Sequence, residues 1–207
     1  MGAINFPGGL YAITDTDLLA GHLRRSVAAA LQGGVRVLQY RDKSSDRAQR
    51  MDEALVLLHL CRQRGVPLII NDDIELALAT GADGVHVGQS DVPLAVARAR
   101  LGPEAIIGVT CHDSLELAAI AAAGGASYLA FGAMYPSSTK PKARHATLAT
   151  LTAAQDFGLP VVAIGGITTD NAAPLIVAGA DNIAVISDLW TAPDITSRAR
   201  EFARLFE

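Results

Sequence analysis

The side chains best suited to chemistry in this sequence are polar residues that follow short apolar segments. In chain order they are Gln39, Arg41, Lys43, Asn71, Asp72, Asp73, Gln89, Asp91, Thr110, His112, Ser137, Ser138, Thr139, Lys140 and Ser187, with a glycine pair at Gly165 and Gly166. Carboxylates suit a divalent cation, whereas guanidinium, ammonium and hydroxyl groups suit phosphate. The set therefore predicts a site for phosphorylated ligands, provided that the fold brings these segments together.

Asp72 and Asp91 are the candidates for a metal site. Two carboxylates with open positions suit Mg²⁺, which takes its remaining ligands from water and substrate phosphates. The alternative is helix capping, since Asp72 or Asp73 could cap one helix and Asp91 the next. Capping explains either residue alone, but a pair of carboxylates facing basic side chains favours a metal.

The Gly165-Gly166-Ile167-Thr168 segment is a candidate for a second, monophosphate site. We expect it to precede a helix whose first N–H groups are free to bind an anion, beside the end of the last strand. The residues thus indicate two phosphorylated ligands, one a diphosphate with metal and the other a monophosphate. His86 is interpreted as a hydrogen-bonded core histidine, and Cys61 as a packing residue.

Composition limits the class of protein. The chain has 207 residues, of which 50% are hydrophobic, and a formal net charge of −4, which fits one domain spanning 1–207 and disfavours disorder and nucleic-acid binding. Two cysteines and a start without a secretory signal predict a reducing, cytoplasmic location. The apolar segment Leu117–Tyr135 is interrupted by glycines, so we interpret it as a helix and a buried strand, not a membrane span. Monomer and homo-oligomer both remain open.

Eight apolar segments alternate with helical ones and predict the fold. The strands are expected at Gly9–Ile13, Val35–Tyr40, Pro67–Ile70, Gly84–Val87, Ile106–Val109, Ser127–Phe131, Val161–Ile164 and Ile183–Ile186. A glycine followed by a small residue and a strand recurs at Gly33, Gly81, Gly124 and Gly179, before strands two, four, six and eight. A repeat of two βα units is typical of a closed barrel, so we predict a single-domain α/β TIM (β/α)₈ barrel with its active site at the C-terminal ends of the strands.

Several segments together resemble the thiamine-phosphate synthase family. They are Leu10–Asp15, Gln39–Lys43, Asn71–Asp72, Gly81–Asp91, Tyr135–Lys140 and Ala163–Ile167, in family order and spacing from about residue 9 to 190. The resemblance implies a Mg²⁺-dependent transferase that joins hydroxymethylpyrimidine diphosphate to a thiazole phosphate carboxylate. The products would be thiamine phosphate, diphosphate and CO₂.

The resemblance also implies roles for individual residues. The pyrimidine diphosphate would contact Gln39, Arg41, Lys43, Asn71, Thr110 and Lys140, with Tyr40 and Asp42 in the same segment, and Arg41, Lys43 and Lys140 would assist catalysis. The thiazole phosphate would contact Ser137, Ser138, Thr139, Gly166, Ile186 and Ser187, and Mg²⁺ would bind Asp72 and Asp91. The chain departs from the family where Ser137 and Thr110 replace a threonine and a serine, but both keep a hydroxyl group.

Two alternatives remain at this point. A related thiazole tautomerase would bind the thiazole phosphate without forming a C–N bond, and it would not need the diphosphate contacts. A non-catalytic sensor of phosphorylated ligands would be expected to have lost acidic or basic positions, and none is lost here.

Overall fold

The computed structural model describes residues 6–136 and 145–207, which form a closed parallel barrel surrounded by helices. The strands are β1 (Gly9–Ile13), β2 (Val37–Tyr40), β3 (Leu68–Asn71), β4 (Gly84–Val87), β5 (Ile106–His112), β6 (Tyr128–Phe131), β7 (Val161–Ile164) and β8 (Asn182–Val185). The helices are α1 (Leu23–Gln32), α2 (Arg47–Arg62), α3 (Ile74–Thr80), α4 (Leu94–Leu101), α5 (Leu115–Ala123), α6 (Leu148–Ala154), α7 (Ala173–Val177), α8 (Ser187–Trp190) and α9 (Ile195–Arg204), with a 3₁₀ turn at Gln155–Phe157. Strands pair in chain order and β8 closes on β1, which confirms the predicted (β/α)₈ barrel.

The observed strands overlap the predicted apolar segments, with ends shifted by one or two residues in β2, β3, β6 and β8 and by three residues in β5. β5 continues past Val109 to His112 because Thr110 still pairs with Ala130 of β6, and a bulge follows before His112. Thr110 therefore belongs to the strand itself and is held by the barrel. The segment interpreted as a helix and a buried strand is α5 and β6. None of the helices in the described ranges has the length and apolar character that crossing a membrane requires.

Side chains alternate between the barrel interior and the helical layer along the strands. On β2, Val37 and Gln39 point inward, whereas Leu38 and Tyr40 pack against the helices. Both faces are enclosed, which is why the strands are rich in apolar residues. This alternation determines which polar side chains near a strand end reach the interior.

Aromatic side chains fill the amino-terminal half of the barrel. The ring of Phe6 stacks on Tyr128 with centroids 4.2 Å apart, and Tyr11 meets Tyr128 edge to face at 5.9 Å. Gly108 on β5 makes room for this packing, since a Cβ there would overlap the Tyr128 ring. The open space of the barrel is consequently confined to the carboxyl ends of the strands, where such barrels carry their chemistry.

Candidate active site

A cavity of 1220 Å³ opens at the carboxyl ends of the strands. It is large enough for two small ligands, since a pocket for one drug-sized ligand typically measures about 300–1,000 Å³. Among the predicted site residues, its lining includes Gln39, Arg41, Asn71, Thr110, Gly166, Ile186 and Ser187. Side chains that are far apart in the sequence thus meet at one rim.

A smaller recess of 540 Å³ lies beside the main cavity. It is lined by Asp42, Lys43 and Asp72, and Asn71 lines both spaces. The recess is therefore next to the main cavity and carries acidic and basic groups.

Asp72 lies in the loop after β3 in a conformation that favours glycine, with φ of +62°. Its neighbour Asp73 caps α3, because the Asp73 carboxylate accepts the backbone N–H of Leu76 at 2.9 Å and also pairs with Arg50 at 2.9 Å. The cap of α3 is therefore Asp73 and not Asp72. Asp73 holds the helix, and the Asp72 side chain remains available to the site.

Asp91 is not a helix cap either, since Pro93 occupies the N-cap position of α4. One oxygen of the Asp91 carboxylate accepts the backbone N–H of Gly88 at 2.7 Å. Burial, together with a hydrogen bond and charge repulsion from Asp91, raises the pKa of Asp72 from 3.8 to about 6, although Asn71 and Lys43 partly offset this. Two carboxylates this close favour a shared proton or a bound cation.

The acidic pair fits a divalent cation that keeps open coordination positions. Within residues 6–136 and 145–207, no cluster of three or more histidine, cysteine, aspartate or glutamate side chains is suited to holding a metal. A closed protein cage of the zinc type is not offered there. Two carboxylate ligands, completed by water and phosphate oxygens, match the preference of Mg²⁺.

Basic groups flank the acidic pair. The backbone of Arg41 is fixed on both sides by the Thr14 hydroxyl, which accepts the Arg41 N–H at 2.8 Å and donates to the Arg41 carbonyl at 3.2 Å. The Arg41 guanidinium lies 3.6 Å from the Asp15 carboxylate, a long contact, and within residues 6–136 and 145–207 most of its donors remain available to a ligand. Lys43 is exposed in the recess, and its charge acts on Asp72.

The expected arrangement of the glycine pair is partly wrong. Gly165 and Gly166 adopt φ of +105° and +64°, and a Cβ on Gly166 would lie 2.5 Å from the carbonyl of Pro136. However, α7 begins only at Ala173, so no helix starts directly after the pair. Asn171 closes this turn instead, since its side chain accepts from Thr168 N–H at 2.8 Å and donates to the Gly166 carbonyl at 3.0 Å.

Tyr40 and Asp42, predicted as substrate contacts, do not line the main cavity. Tyr40 lies on the outer face of β2, and its hydroxyl donates to Glu53 of α2 at 2.7 Å. The Asp42 carboxylate is buried and accepts from Ser44 N–H and from Tyr40. Burial opposes ionisation, but these hydrogen bonds outweigh it and lower the pKa of Asp42. The side chains of both residues shape the loop that carries Lys43.

The sequence interpretation missed a hydrogen-bonded chain across the cavity floor. It runs from Gln39 through Tyr11, Tyr128 and His86 to Thr110, with successive distances of 2.7, 2.8, 2.8 and 2.8 Å. His86 is hydrogen-bonded as expected, but it also lines the cavity. The signal that was available is strand alternation, which places Tyr11 and Tyr128 inside the barrel.

The two cysteines are packing residues. Burial, with a smaller effect of the Asp83 charge, raises the pKa of Cys61 to about 12, and burial raises that of Cys111 to about 12. Both thiols are therefore held in the unreactive form.

The remaining predicted contacts lie outside the described residues. They are Ser137, Ser138, Thr139 and Lys140.

Comparisons with known proteins identify the family of this chain. A family model described as thiamine monophosphate synthase matches residues 10–189. The thiamine-phosphate synthases of Thiobacillus denitrificans and Marinobacter nauticus are 54% identical over 202 residues (97% of this chain, 96% of the relative) and 55% identical over 201 (96% and 90%). The structure of thiamine phosphate pyrophosphorylase from Pyrococcus furiosus matches with a TM-score of 0.87 at 36% identity, covering 95% of this chain and 94% of that one. This chain belongs to the thiamine monophosphate synthase family.

Proposed function

We propose that this protein transfers the hydroxymethylpyrimidine group from its diphosphate to the nitrogen of a thiazole phosphate carboxylate, forming thiamine phosphate. The observation that carries the proposal is the Asp72 carboxylate, which interacts with Asp91 and lines a recess that shares Asn71 with a larger cavity. Because the recess adjoins the larger cavity, a diphosphate bound in the recess would direct the attached pyrimidine toward the space proposed for the acceptor. A tautomerase acting on the thiazole alone would have no use for this acidic pair.

Asp72 and Asp91 are the residues that would hold Mg²⁺. The ion would neutralise charge on the diphosphate as the bond to its leaving oxygen breaks. The Asp72 carboxylate would need to be fully ionised for this role, and the charge of Lys43 favours ionisation. Asn71 donates to the Asp72 carboxylate at 2.6 Å, which fixes the orientation of that side chain.

Arg41 and Lys43 supply positive charge for the departing diphosphate. The lone pair of the thiazole nitrogen forms a C–N bond to the pyrimidine methylene carbon while the C–O bond breaks and its electrons leave with diphosphate. Loss of the carboxylate as CO₂ then leaves an electron pair on the thiazole ring, which takes up a proton. The protein acts by positioning and electrostatic stabilisation, because the thiazole nitrogen is itself the nucleophile.

The monophosphate of the thiazole is assigned to the side of the cavity formed by Gly166, Ile186 and Ser187. All three line the same space as Thr110 and Gln39. They follow β7 and β8, which lie across the barrel from β3 and β4, the strands that precede Asp72 and Asp91. The close approach of Gly166 to the chain at Pro136 leaves no room for a side chain there. Backbone groups at such a glycine turn are well suited to contact a phosphate.

The test is to incubate the purified protein with both substrates and Mg²⁺ and to measure thiamine phosphate, with EDTA as a control. We expect metal-dependent product, and we expect Asp72→Asn to lower kcat by about 100-fold or more. The matched control is Asp83→Asn, a carboxylate at the opposite end of the barrel that accepts Leu68 N–H at 2.8 Å. Binding of the thiazole phosphate without product would instead indicate a tautomerase or a sensor.

A further inference from the structure

The hydrogen-bonded chain on the cavity floor links five strands and ends at two residues of the proposed substrate site. Gln39 on β2 and Thr110 on β5 line the cavity, and the buried Tyr11 and Tyr128 lie between them, Tyr11 at the cavity wall and Tyr128 behind it. His86 on β4 joins Tyr128 to Thr110 through its two ring nitrogens, Nδ1 and Nε2. The distances of 2.7–2.8 Å are those of well-formed hydrogen bonds.

The Gln39 amide sets the direction of every bond in this chain. Its Nε2 can only donate, so the Tyr11 oxygen accepts from Gln39. Among the described residues, the acceptor within reach of the buried Tyr11 hydrogen is the Tyr128 oxygen, so donation to Tyr128 avoids an unpaired buried O–H group. Tyr128 in turn gives its hydrogen to Nδ1 of His86. An imidazole that accepts at Nδ1 carries its hydrogen on Nε2, from which it donates to the Thr110 hydroxyl oxygen.

Thr110 is left with a hydrogen to donate. Within residues 6–136 and 145–207, the Thr110 hydroxyl has no protein partner other than His86. Because the hydroxyl accepts from His86 and lines the cavity, its own hydrogen is free for a ligand atom. If the hydrogen bonds ran in the opposite direction, Thr110 would donate to His86 and could only accept from a ligand.

The surroundings favour a fixed arrangement of the chain. Burial raises the pKa of both Tyr11 and Tyr128, so the phenols keep their hydrogens. Phe6 stacks on the Tyr128 ring, and the absence of a side chain at Gly108 makes room for the Tyr128 ring. Hydrogen bonds in such an enclosed, low-dielectric place reinforce one another.

We propose that Tyr11, Tyr128 and His86 are positioning residues that fix Thr110 as a hydrogen-bond donor to an acceptor atom of the pyrimidine diphosphate substrate. The identity of that substrate rests on the proposed function, whereas the direction of the chain does not. The device makes the site selective for a ligand acceptor, because a ligand donor could reach only the second lone pair of the Thr110 oxygen and would leave the Thr110 hydrogen without an acceptor. A site built to hydrogen-bond one partner strongly rejects an analogue that cannot complete the bond.

The direction of the chain is tested without any substrate by ¹⁵N NMR of the histidine side chains. We expect His86, assigned by its loss in His86→Gln, to show an unprotonated Nδ1 and a protonated Nε2. In Tyr128→Phe this preference should weaken, because Nδ1 loses its donor. A His86 protonated at Nδ1 in the wild-type protein would overturn the proposal.

Kinetics test the consequence for the substrate. We expect Tyr128→Phe to lower kcat/KM for the pyrimidine diphosphate about 5- to 10-fold, the factor of one hydrogen bond, with little change in the KM of the thiazole phosphate. Thr110→Ser should retain activity and Thr110→Val should show a loss at least as large as that of Tyr128→Phe. Thr80→Val is the matched control, because it removes a buried hydroxyl that donates only within α3.

The proposed function and the positioning role of Tyr11, Tyr128 and His86 can be refuted independently. If the wild-type protein makes no thiamine phosphate but His86 carries its hydrogen on Nε2, the proposed function fails and the positioning chain stands. If product forms and Tyr128→Phe changes kcat/KM no more than Thr80→Val does, the chain has only a structural role and the proposal is refuted.

Discussion

Replacing Asp72 with Asn should make the metal-free protein more stable while removing its activity. Asp72 is held beside Asp91 in a half-buried place, and this raises its pKa to about 6. At neutral pH the folded protein must therefore hold two ionised carboxylates close together. An Asn side chain removes one of these charges and offers an amide hydrogen to Asp91, so the repulsion becomes a hydrogen bond.

The size of the effect follows from the pKa of Asp72. A rise from 3.8 to about 6 would correspond to about 3 kcal/mol for a fully buried group. Because about half of the group is open to solvent, screening reduces the expected gain to about 1–1.5 kcal/mol. The folded-state pKa is raised, so wild-type stability is greatest when Asp72 is protonated, and it is lost as pH rises from about 4 through about 6.

The assay is urea denaturation in EDTA at several pH values from about 4 to about 8. The difference in free energy of unfolding between Asp72→Asn and wild type should be small at the acidic end and reach its plateau above about pH 6. Asp83→Asn, whose carboxylate accepts a single backbone N–H, serves as the control and should change stability by no more than about 0.5 kcal/mol. A variant less stable than wild type near neutral pH would refute the reasoning.

Adding Mg²⁺ with inorganic diphosphate should reverse the order of stability. A ligand that binds the folded state stabilises it in proportion to the logarithm of its concentration over Kd, by about 2.7 kcal/mol at a hundredfold excess. The wild type should gain this stability and Asp72→Asn should not. Equal stabilisation of both proteins would show that the ion binds elsewhere.

Three further predictions follow from other parts of the structure. Arg41→Gln should raise the KM of the pyrimidine diphosphate about 10-fold or more in steady-state kinetics, with the thiazole phosphate less affected, and equal rises in both would contradict the assignment. Gly108→Ala places a methyl group on the Tyr128 ring and should lower the free energy of unfolding by about 1–3 kcal/mol, whereas an unchanged urea midpoint would mean that the ring moves aside freely. Iodoacetamide at about pH 8 should alkylate Cys61 and Cys111 far more slowly in the native protein than in urea, because burial raises the pKa of both thiols, and equal rates would contradict their burial.

The fold could be predicted from the sequence because its signals are local and repeated. Eight apolar segments became strands, and the recurring glycines lie at helix ends, as at Gly81, which ends α3 with φ of +70°. Alternation of side chains could also have been applied to individual residues. It places Gln39 inside the barrel and the side chain of the adjacent Tyr40 on the outer face, where the Tyr40 hydroxyl donates to Glu53.

The sequence predicted which residues line the site but not the hydrogen bonds that connect them. Arg41, Asn71 and Thr110 were identified because polar residues at strand ends meet at one rim of a barrel. The pairing of Tyr11 with Tyr128 was missed because these residues are 117 positions apart and on strands that are not neighbours. Such a contact depends on the radius of the closed barrel, which no local pattern encodes.

Backbone conformation explains why the role of the loop after β3, which carries Asp72 and Asp73, was also ambiguous from sequence. In the described parts of the chain, the non-glycine residues with positive φ are Asp72 and His112, and both lie at strand ends beside the site. Such conformations cost about 1–3 kcal/mol each and persist only where the surroundings impose them. For Asp72 the surroundings are visible, because the next residue, Asp73, is fixed by capping α3 and by its ion pair with Arg50. The loop thus combines an unfavourable backbone conformation at Asp72 with charge repulsion between Asp72 and Asp91. A bound cation would offset both. Tyr11 and Tyr128 of the cavity floor are not among these residues, so the positive-φ conformations of the described non-glycine residues lie at strand ends beside the site.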